Sequence, residues 1–212
     1  MRRVSRSLAL PVALAAVAIA SLAVAGDHPE HPKPAPGLKA GAAAPTSTLK
    51  TVDDQPVDFA SLYKNGPVVV IFYRGGWCPY CTKSLQGWDE KMDEIKAMNA
   101  TVVAITPEKP QFTKETAAKQ AAHMTVLSDA GGELANKFGL LFSLDEVTKK
   151  KYQGYGIDLS ERNADAQWNL PHPGTFIIDT KGVVRFASVN PDYTVRPSPD
   201  EILPELRKIA GN

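Results

Sequence analysis

Val68-Val69-Val70-Ile71-Phe72-Tyr73-Arg74-Gly75-Gly76-Trp77-Cys78-Pro79-Tyr80-Cys81 is the stretch that decides the architecture. Its first six residues form a continuous, largely β-branched apolar run, the pattern of a strand buried on both faces. Arg74-Gly75-Gly76 ends the run. Beyond Pro79, the residues Leu85, Trp88, Met92, Ile95 and Met98 recur at intervals of three and four and predict a helix over 79–98. Cys78 and Cys81, the two cysteines of the chain, therefore stand at a strand-to-helix junction. Backbone N–H groups in a first helical turn lack intrahelical partners, and the helix dipole favours negative charge there. A thiolate is stabilised at such a place, and the thiolate is the reactive form. Cys78, nearest the helix tip, is expected to be the more exposed thiol and to ionise first, with Cys81 one turn deeper and more shielded.

Three other roles compete for this pair. A structural disulfide is one, although a bridge across two residues removes little loop entropy. Half of a zinc site is another, but there is no second Cys pair and the four histidines are scattered. The third is a redox site retained only for packing.

Working outward, strands are expected near Thr46–Thr51 and Val57–Phe59, on either side of the turn at Asp53-Asp54. Thr101-Val102-Val103-Ala104-Ile105 reads as the strand after the cysteine helix. A helix follows from Pro110 to Ala122, then a short strand at Thr125–Ser128 and a short helix at Gly132–Phe138. Strands alternating with helices at this spacing give parallel β-α-β units. The pattern then changes. Gly174–Asp179 and Val183–Val189 read as an antiparallel hairpin turned at Thr180-Lys181-Gly182. Ser198, Pro199 and Glu201 mark the start of a last helix by cap, first-position proline and capping box. Pro204 predicts a bend in it or a late start. The expected fold class is α/β, with a central mixed sheet and helices on both faces. Residues 139–172 read as an insertion, either a cover for the cysteine site or a surface elaboration.

The chain of 212 residues opens with Arg2, Arg3 and Arg6, an Ala-rich apolar stretch from Leu8 to Ala25, and Ala23-Val24-Ala25 before Gly26. That is the layout of a signal peptide over 1–25 cut before Gly26; a membrane anchor is the alternative for a stretch of nearly spanning length. An exported protein, periplasmic or extracellular, is expected, with no membrane association after cleavage. Disulfides persist in such compartments. Residues 26–45 read as a Pro/Ala-rich linker, in which His28 and His31 make at best a poor metal site, and residues 46–212 as one domain. The formal net charge is +1, and removal of the leader makes it slightly negative. Neither value suggests a nucleic-acid partner.

The strand, C-x-x-C helix, strand, hairpin and helix together resemble a thioredoxin fold. The segment from Phe72 to Cys81 most closely resembles the peroxiredoxin-like branch of the alkyl hydroperoxide reductase/thiol-specific antioxidant (redoxin) family, thioredoxin superfamily. The resemblance spans most of 37–210 and includes Gly41–Pro45, Pro173–Asp179 and Asp192-Tyr193. It implies an oxidoreductase with Cys78 and Cys81 as catalytic residues and Trp77 and Pro173 as substrate-binding residues, without cofactor or metal. It also implies a thiol, disulfide or peroxide substrate and an external thiol reductant. In the family pattern P-x-x-x-T-x-x-C aligned on Cys81, Arg74 takes the Pro position and Cys78 the Thr position, and Pro173 takes the place of a later Arg. The peroxidatic position is kept while its three helpers are replaced, with Arg74 a substitute source of positive charge. By similarity to thioredoxin, Pro173 is expected to be a cis-proline lying against the C-x-x-C. The buried acid of thioredoxin falls on Phe72, leaving His172 either as a proton carrier or as polar surface. The leading expectation is dithiol–disulfide exchange, in which Cys78 attacks and Cys81 resolves. A thiol peroxidase centred on Cys81 and a non-enzymatic binding module are the alternatives.

Overall fold

The computed structural model describes residues 37–211. The leader over 1–25, its cleavage point, and the linker as far as residue 36, with His28 and His31, lie outside the described residues. From Leu38 the chain is already bonded to the domain: Leu38 N–H donates to the Phe138 carbonyl and Gly41 N–H to that of Val184.

Seven strands make one mixed sheet: β1 (Thr48–Lys50), β2 (Pro56–Asp58), β3 (Val68–Phe72), β4 (Thr101–Thr106), β5 (Thr125–Ser128), β8 (Gly174–Ile178) and β9 (Val184–Val189), in the order β2-β1-β5-β4-β3-β8-β9. β3, β4 and β5 are mutually parallel, and β8 joins β3 antiparallel. β3 is central because its side chains satisfy both faces. Val69 and Ile71, followed by Tyr73, pack in one apolar cluster, while Val68, Val70 and Phe72 pack in the other. This period of two with both faces covered is what a buried central strand requires.

On the first face lie α1 (Pro79–Asp89), α2 (Met92–Ala97), α3 (Pro110–Gln120) and α7 (Pro199–Ala210). On the second lie the 3₁₀ turn Phe59–Tyr63 and α4 (Glu133–Lys137). The helix expected over 79–98 is two helices. Lys91 N–H closes to the Trp88 carbonyl in a tighter turn, while the Asp89 carboxylate accepts from the backbone N–H of His123 at 2.8 Å. Met92 and Ile95 continue the buried stripe of Leu85 and Trp88 across the break, so the apolar period runs through it. The last helix starts at Pro199 with its capping box formed, and Pro204 does not delay it.

Residues 139–172 are a built unit. β6 (Leu141–Ser143) pairs antiparallel with β7 (Asn169–Pro171), and α5 (Glu146–Gly154) and α6 (Leu159–Arg162) lie between them. Leu144, Tyr152, Leu159 and Leu170 form its own small core.

Candidate active site

The junction between β3 and α1 holds the site. Tyr73 N–H still donates to the Ile105 carbonyl of β4, and Cys78 N–H donates to the Gly75 carbonyl, so the connecting loop is tight. Gly76 has to be glycine here: a Cβ on it would stand 2.3 Å from the Thr116 hydroxyl of α3. Cys78 is the N-cap of α1 and Pro79 its first residue, where the missing N–H costs nothing. Cys81 N–H donates to the Cys78 carbonyl at 3.0 Å.

Both thiols are free and buried, Cys78 with 2 % of its surface exposed and Cys81 with none. They differ in their surroundings. Arg196, in the segment leading to α7, places Nη2 3.1 Å from Cys81 Sγ. The Arg74 backbone N–H and guanidinium also favour the Cys81 thiolate. Burial opposes them, and the hydrogen bond from the Cys78 thiol with the two arginines prevails, lowering the Cys81 pKa to about 6. Cys78 is driven the other way, first by its hydrogen bond to Cys81, then by burial and by the charge on Cys81. The negative charge therefore belongs to Cys81. The expectation that Cys78 ionises first is corrected: helix-tip placement is outweighed by the hydrogen bond that Cys78 gives Cys81 and by Arg196 at the Cys81 sulfur, while the Arg74 charge favours the thiolate of either cysteine.

The replacement of the family helpers stands in the sequence, and a further cation joins Arg74 at the site. No arginine stands at Pro173, but Arg196 delivers a guanidinium to the same sulfur from a different part of the chain. All peptide bonds among the described residues are trans, so Pro173 is not a cis-proline. The trans linkage carries an extended chain from β7 directly into β8. Pro173 lines a small cavity with Arg196 and Ser84 and not the cleft beside Cys78. Trp77 does line that cleft. His172 is 2 % exposed and its ring lies 4.5 Å from that of Phe142, so it is not surface, and it lines neither space.

A buried acid does lie on the loop after β4. Glu108, fully buried, accepts from Gly76 N–H at 2.7 Å and from Arg162 Nε at 2.7 Å. Burial pushes its carboxyl pKa up, against the pull of Arg162 and Gly76. Arg162 lies on α6, so Glu108 ties the cysteine loop to the 141–171 unit. Lys109 N–H and the Arg162 carbonyl add a second tie at 2.8 Å.

That unit forms a roof over the site. Tyr152 packs edge-on to Trp77 with ring centroids 5.5 Å apart. Arg74 is buried, and its guanidinium carbon lies 4.0 Å from the centroid of the Tyr193 ring and 5.1 and 5.4 Å from those of Trp77 and Tyr152. Nothing in the local sequence marks Arg196, Glu108 or Tyr152 as site residues. Only Tyr193 lay within a segment singled out by resemblance.

The sequence model of the AhpC/TSA family matches residues 40–187. The chain belongs to the AhpC/TSA family. It is 30% identical over 145 residues to peroxiredoxin Q of Populus jackii, a chloroplastic protein, covering 68% of this chain and 57% of that one. Against peroxiredoxin Bcp of Escherichia coli K12 the identity is 32% over 103 residues, covering 49% of this chain and 65% of that one. The chain thus spans less than two thirds of the length of either relative. The crystal structure of peroxidoxin BcpB from Mycobacterium tuberculosis superposes with a TM-score of 0.63 at 24% identity, covering 81% of this chain and 98% of that one. This likeness establishes the thioredoxin-like fold of this AhpC/TSA chain, with its central mixed sheet and helices on both faces.

Proposed function

We propose that this AhpC/TSA protein is a thiol-dependent peroxidase in which Cys81 is the peroxidatic thiol and Cys78 resolves. The observation that carries the reading is the Arg196 guanidinium 3.1 Å from Cys81 Sγ. A cation at that distance holds the sulfur as thiolate and aims hydrogen-bond donors at the place where a peroxide oxygen would sit. The Cys81 thiolate attacks one oxygen of the hydroperoxide, the O–O bond breaks, and Cys81 becomes a sulfenic acid. The departing alkoxide or hydroxide takes a proton and leaves as alcohol or water.

The resolving step follows from the coupling of the two thiols. Cys78 keeps its proton chiefly because it is hydrogen-bonded to Cys81 and faces its charge. Oxidation of Cys81 removes that charge, so the Cys78 thiol loses its proton more readily once Cys81 has been consumed. The Cys78 sulfur then attacks Cys81, water departs, and a Cys78–Cys81 disulfide remains. An external thiol returns the pair to the dithiol.

Dithiol–disulfide exchange with Cys78 as the attacking residue is retained as a second reading, because Cys78 lines the open cleft and Cys81 does not. Mass spectrometry of the two Ser variants separates them. The peroxidase reading expects a sulfenic acid on Cys81 in Cys78→Ser after peroxide, and none in Cys81→Ser. A mixed disulfide at Cys78 in Cys81→Ser, with no sulfenic acid in Cys78→Ser, would establish exchange instead. Export is proposed on the leader-like residues 1–25 and on the persistence of disulfides outside the cytoplasm. N-terminal sequencing of the protein from its source should begin near Gly26, and a sequence beginning at Met1 would exclude cleavage.

A further inference from the structure

The two arginines at the thiols are held in different ways. Arg196 is seated on the Cys81 sulfur itself, with Nη2 at 3.1 Å, and lines a small separate cavity with Ser84 and Pro173. Arg74 is seated on aromatic rings. Trp77 of the cysteine loop, Tyr152 of the roof and Tyr193 ahead of α7 converge on its guanidinium, with centroids at 5.1, 5.4 and 4.0 Å. The attraction between a cation and a ring face does not involve the thiols. The seat of Arg74 is therefore independent of the redox state of Cys81, whereas the Arg196 contact is made with the reacting sulfur.

Arg74 also shares the surroundings of Cys78. Both line the same cleft, and the carbonyl of Gly75, the residue after Arg74, accepts from Cys78 N–H at 3.1 Å. The Arg74 charge draws the Cys78 pKa down, against the hydrogen bond to Cys81, burial and the Cys81 charge, which prevail in the reduced pair. Once Cys81 is a sulfenic acid its thiolate charge is gone, and Arg74 stays in place. The other ionisable groups around Cys78 are Lys151 of α5, which has a partner of its own, and Tyr80, Tyr152, Tyr155 and Tyr193.

We propose that Arg74 drives the resolving step, favouring the attack of Cys78 on the oxidised Cys81, while Arg196 serves the peroxide step. The inference rests on the peroxidase reading and assigns the two cations to its two steps. The Cys78 thiolate attacks Cys81 Sγ, the S–O bond of the sulfenic acid breaks, and hydroxide leaves as water with the proton that Cys78 gave up. The disulfide forms without an outside electron carrier.

The test mixes the whole reduced protein with an equivalent of hydrogen peroxide, quenches it with acid at intervals and separates Cys81 sulfenic acid from the Cys78–Cys81 disulfide by mass spectrometry. Arg74→Met should slow the conversion of sulfenic acid to disulfide roughly tenfold, the effect of one pKa unit on the share of Cys78 thiolate. Arg74→Lys, which keeps a cation among the rings, should restore most of the rate. The pH midpoint of the resolving step should move upward in Arg74→Met and stay in Arg74→Lys; below that midpoint Cys78 is protonated and the rate falls. At high peroxide the slower step leaves the sulfenic acid open to a second peroxide, so Cys81 sulfinic acid should form more often per turnover in Arg74→Met. Arg74→Gln serves as the uncharged variant should Arg74→Met not fold. A resolving step unmoved by the uncharged variant, a loss in Arg74→Lys equal to it, or a loss confined to sulfenic acid formation would each overturn the proposal. Absence of sulfenic acid on Cys81 in Cys78→Ser would instead sink the peroxidase reading and the proposal with it.

Discussion

The sheet frame and the 141–171 roof meet at Trp77, which packs against both the large cluster under α1 and the small core of the roof. They are built on different scales. The frame buries side chains on both faces of seven strands. The roof rests on four buried residues, a two-stranded pairing and the ties through Glu108 and Lys109. A small core opens locally at lower cost than a large one. On the peroxidase reading proposed above, the two regions divide the labour: the frame, through Cys81 and Arg196, would set the reactivity of the sulfur, and the roof, whose Tyr152 lines the cleft with Cys78, would set what reaches Cys78.

The most severe way to break this comparison is at the frame sulfur itself. Cys81→Ser is expected to lower peroxide consumption by on the order of 10³-fold or more, as loss of a nucleophile does. A Cys81→Ser enzyme that keeps its rate while Cys78→Ser loses it would reverse the assignment. Next in size is the roof core. Leu159→Ala should cost about 2–5 kcal/mol, spent locally: hydrogen exchange of the 141–171 amides accelerates while those of β3 and β4 stay protected. The Cys81 thiolate should titrate as before. Loss of protection throughout the sheet would show frame and roof to be one cooperative unit.

Arg196→Met comes third. Removing a charge-assisted hydrogen bond of about 1.5–3 kcal/mol should slow peroxide reduction roughly 10- to 100-fold and move the thiolate absorbance midpoint upward. In the unaltered protein that midpoint is expected near pH 6. The sign follows from the lowered pKa. Below it Cys81 is protonated and the rate falls as pH falls; above it the thiolate is complete and the rate is level. A profile that rises only above pH 8 would remove Arg196 from its role. The smallest effect should come from the outer surface of the roof. Lys149 pairs with Glu146 at 2.7 Å across one exposed helical turn, and Lys149→Ala should change urea-unfolding stability by no more than about 0.5 kcal/mol. A larger loss would mean that the roof depends on its surface charges rather than on Leu159 and its neighbours.

The frame was legible residue by residue and the roof was not. The run 68–73, the stripe Leu85, Trp88, Met92 and Ile95, and the cap at Ser198 each express local periodicity or capping chemistry, so strands, helices and their order followed from neighbours in sequence. The break at Lys91 escaped because the buried stripe passes through it. In the roof, short strands such as β6 and β7 take their identity from pairing with each other across 25 or more intervening residues, and no local pattern announces that.

What the sequence by itself determined is the α/β frame and the position of two thiols at the start of one helix. Periodicity and helix-end chemistry act over a few residues and are written in them. Which thiol carries the charge was decided only in three dimensions. Arg196 lies 115 residues from Cys81, Arg162 lies 54 from Glu108, and Tyr193 reaches Arg74 from the far end of the chain. Electrostatic effects on a buried sulfur depend on distance through space in a poorly screened interior. The helix tip, common to Cys78 and Cys81, did not separate them; the hydrogen bond between the two thiols and the Arg196 guanidinium brought to the Cys81 sulfur did.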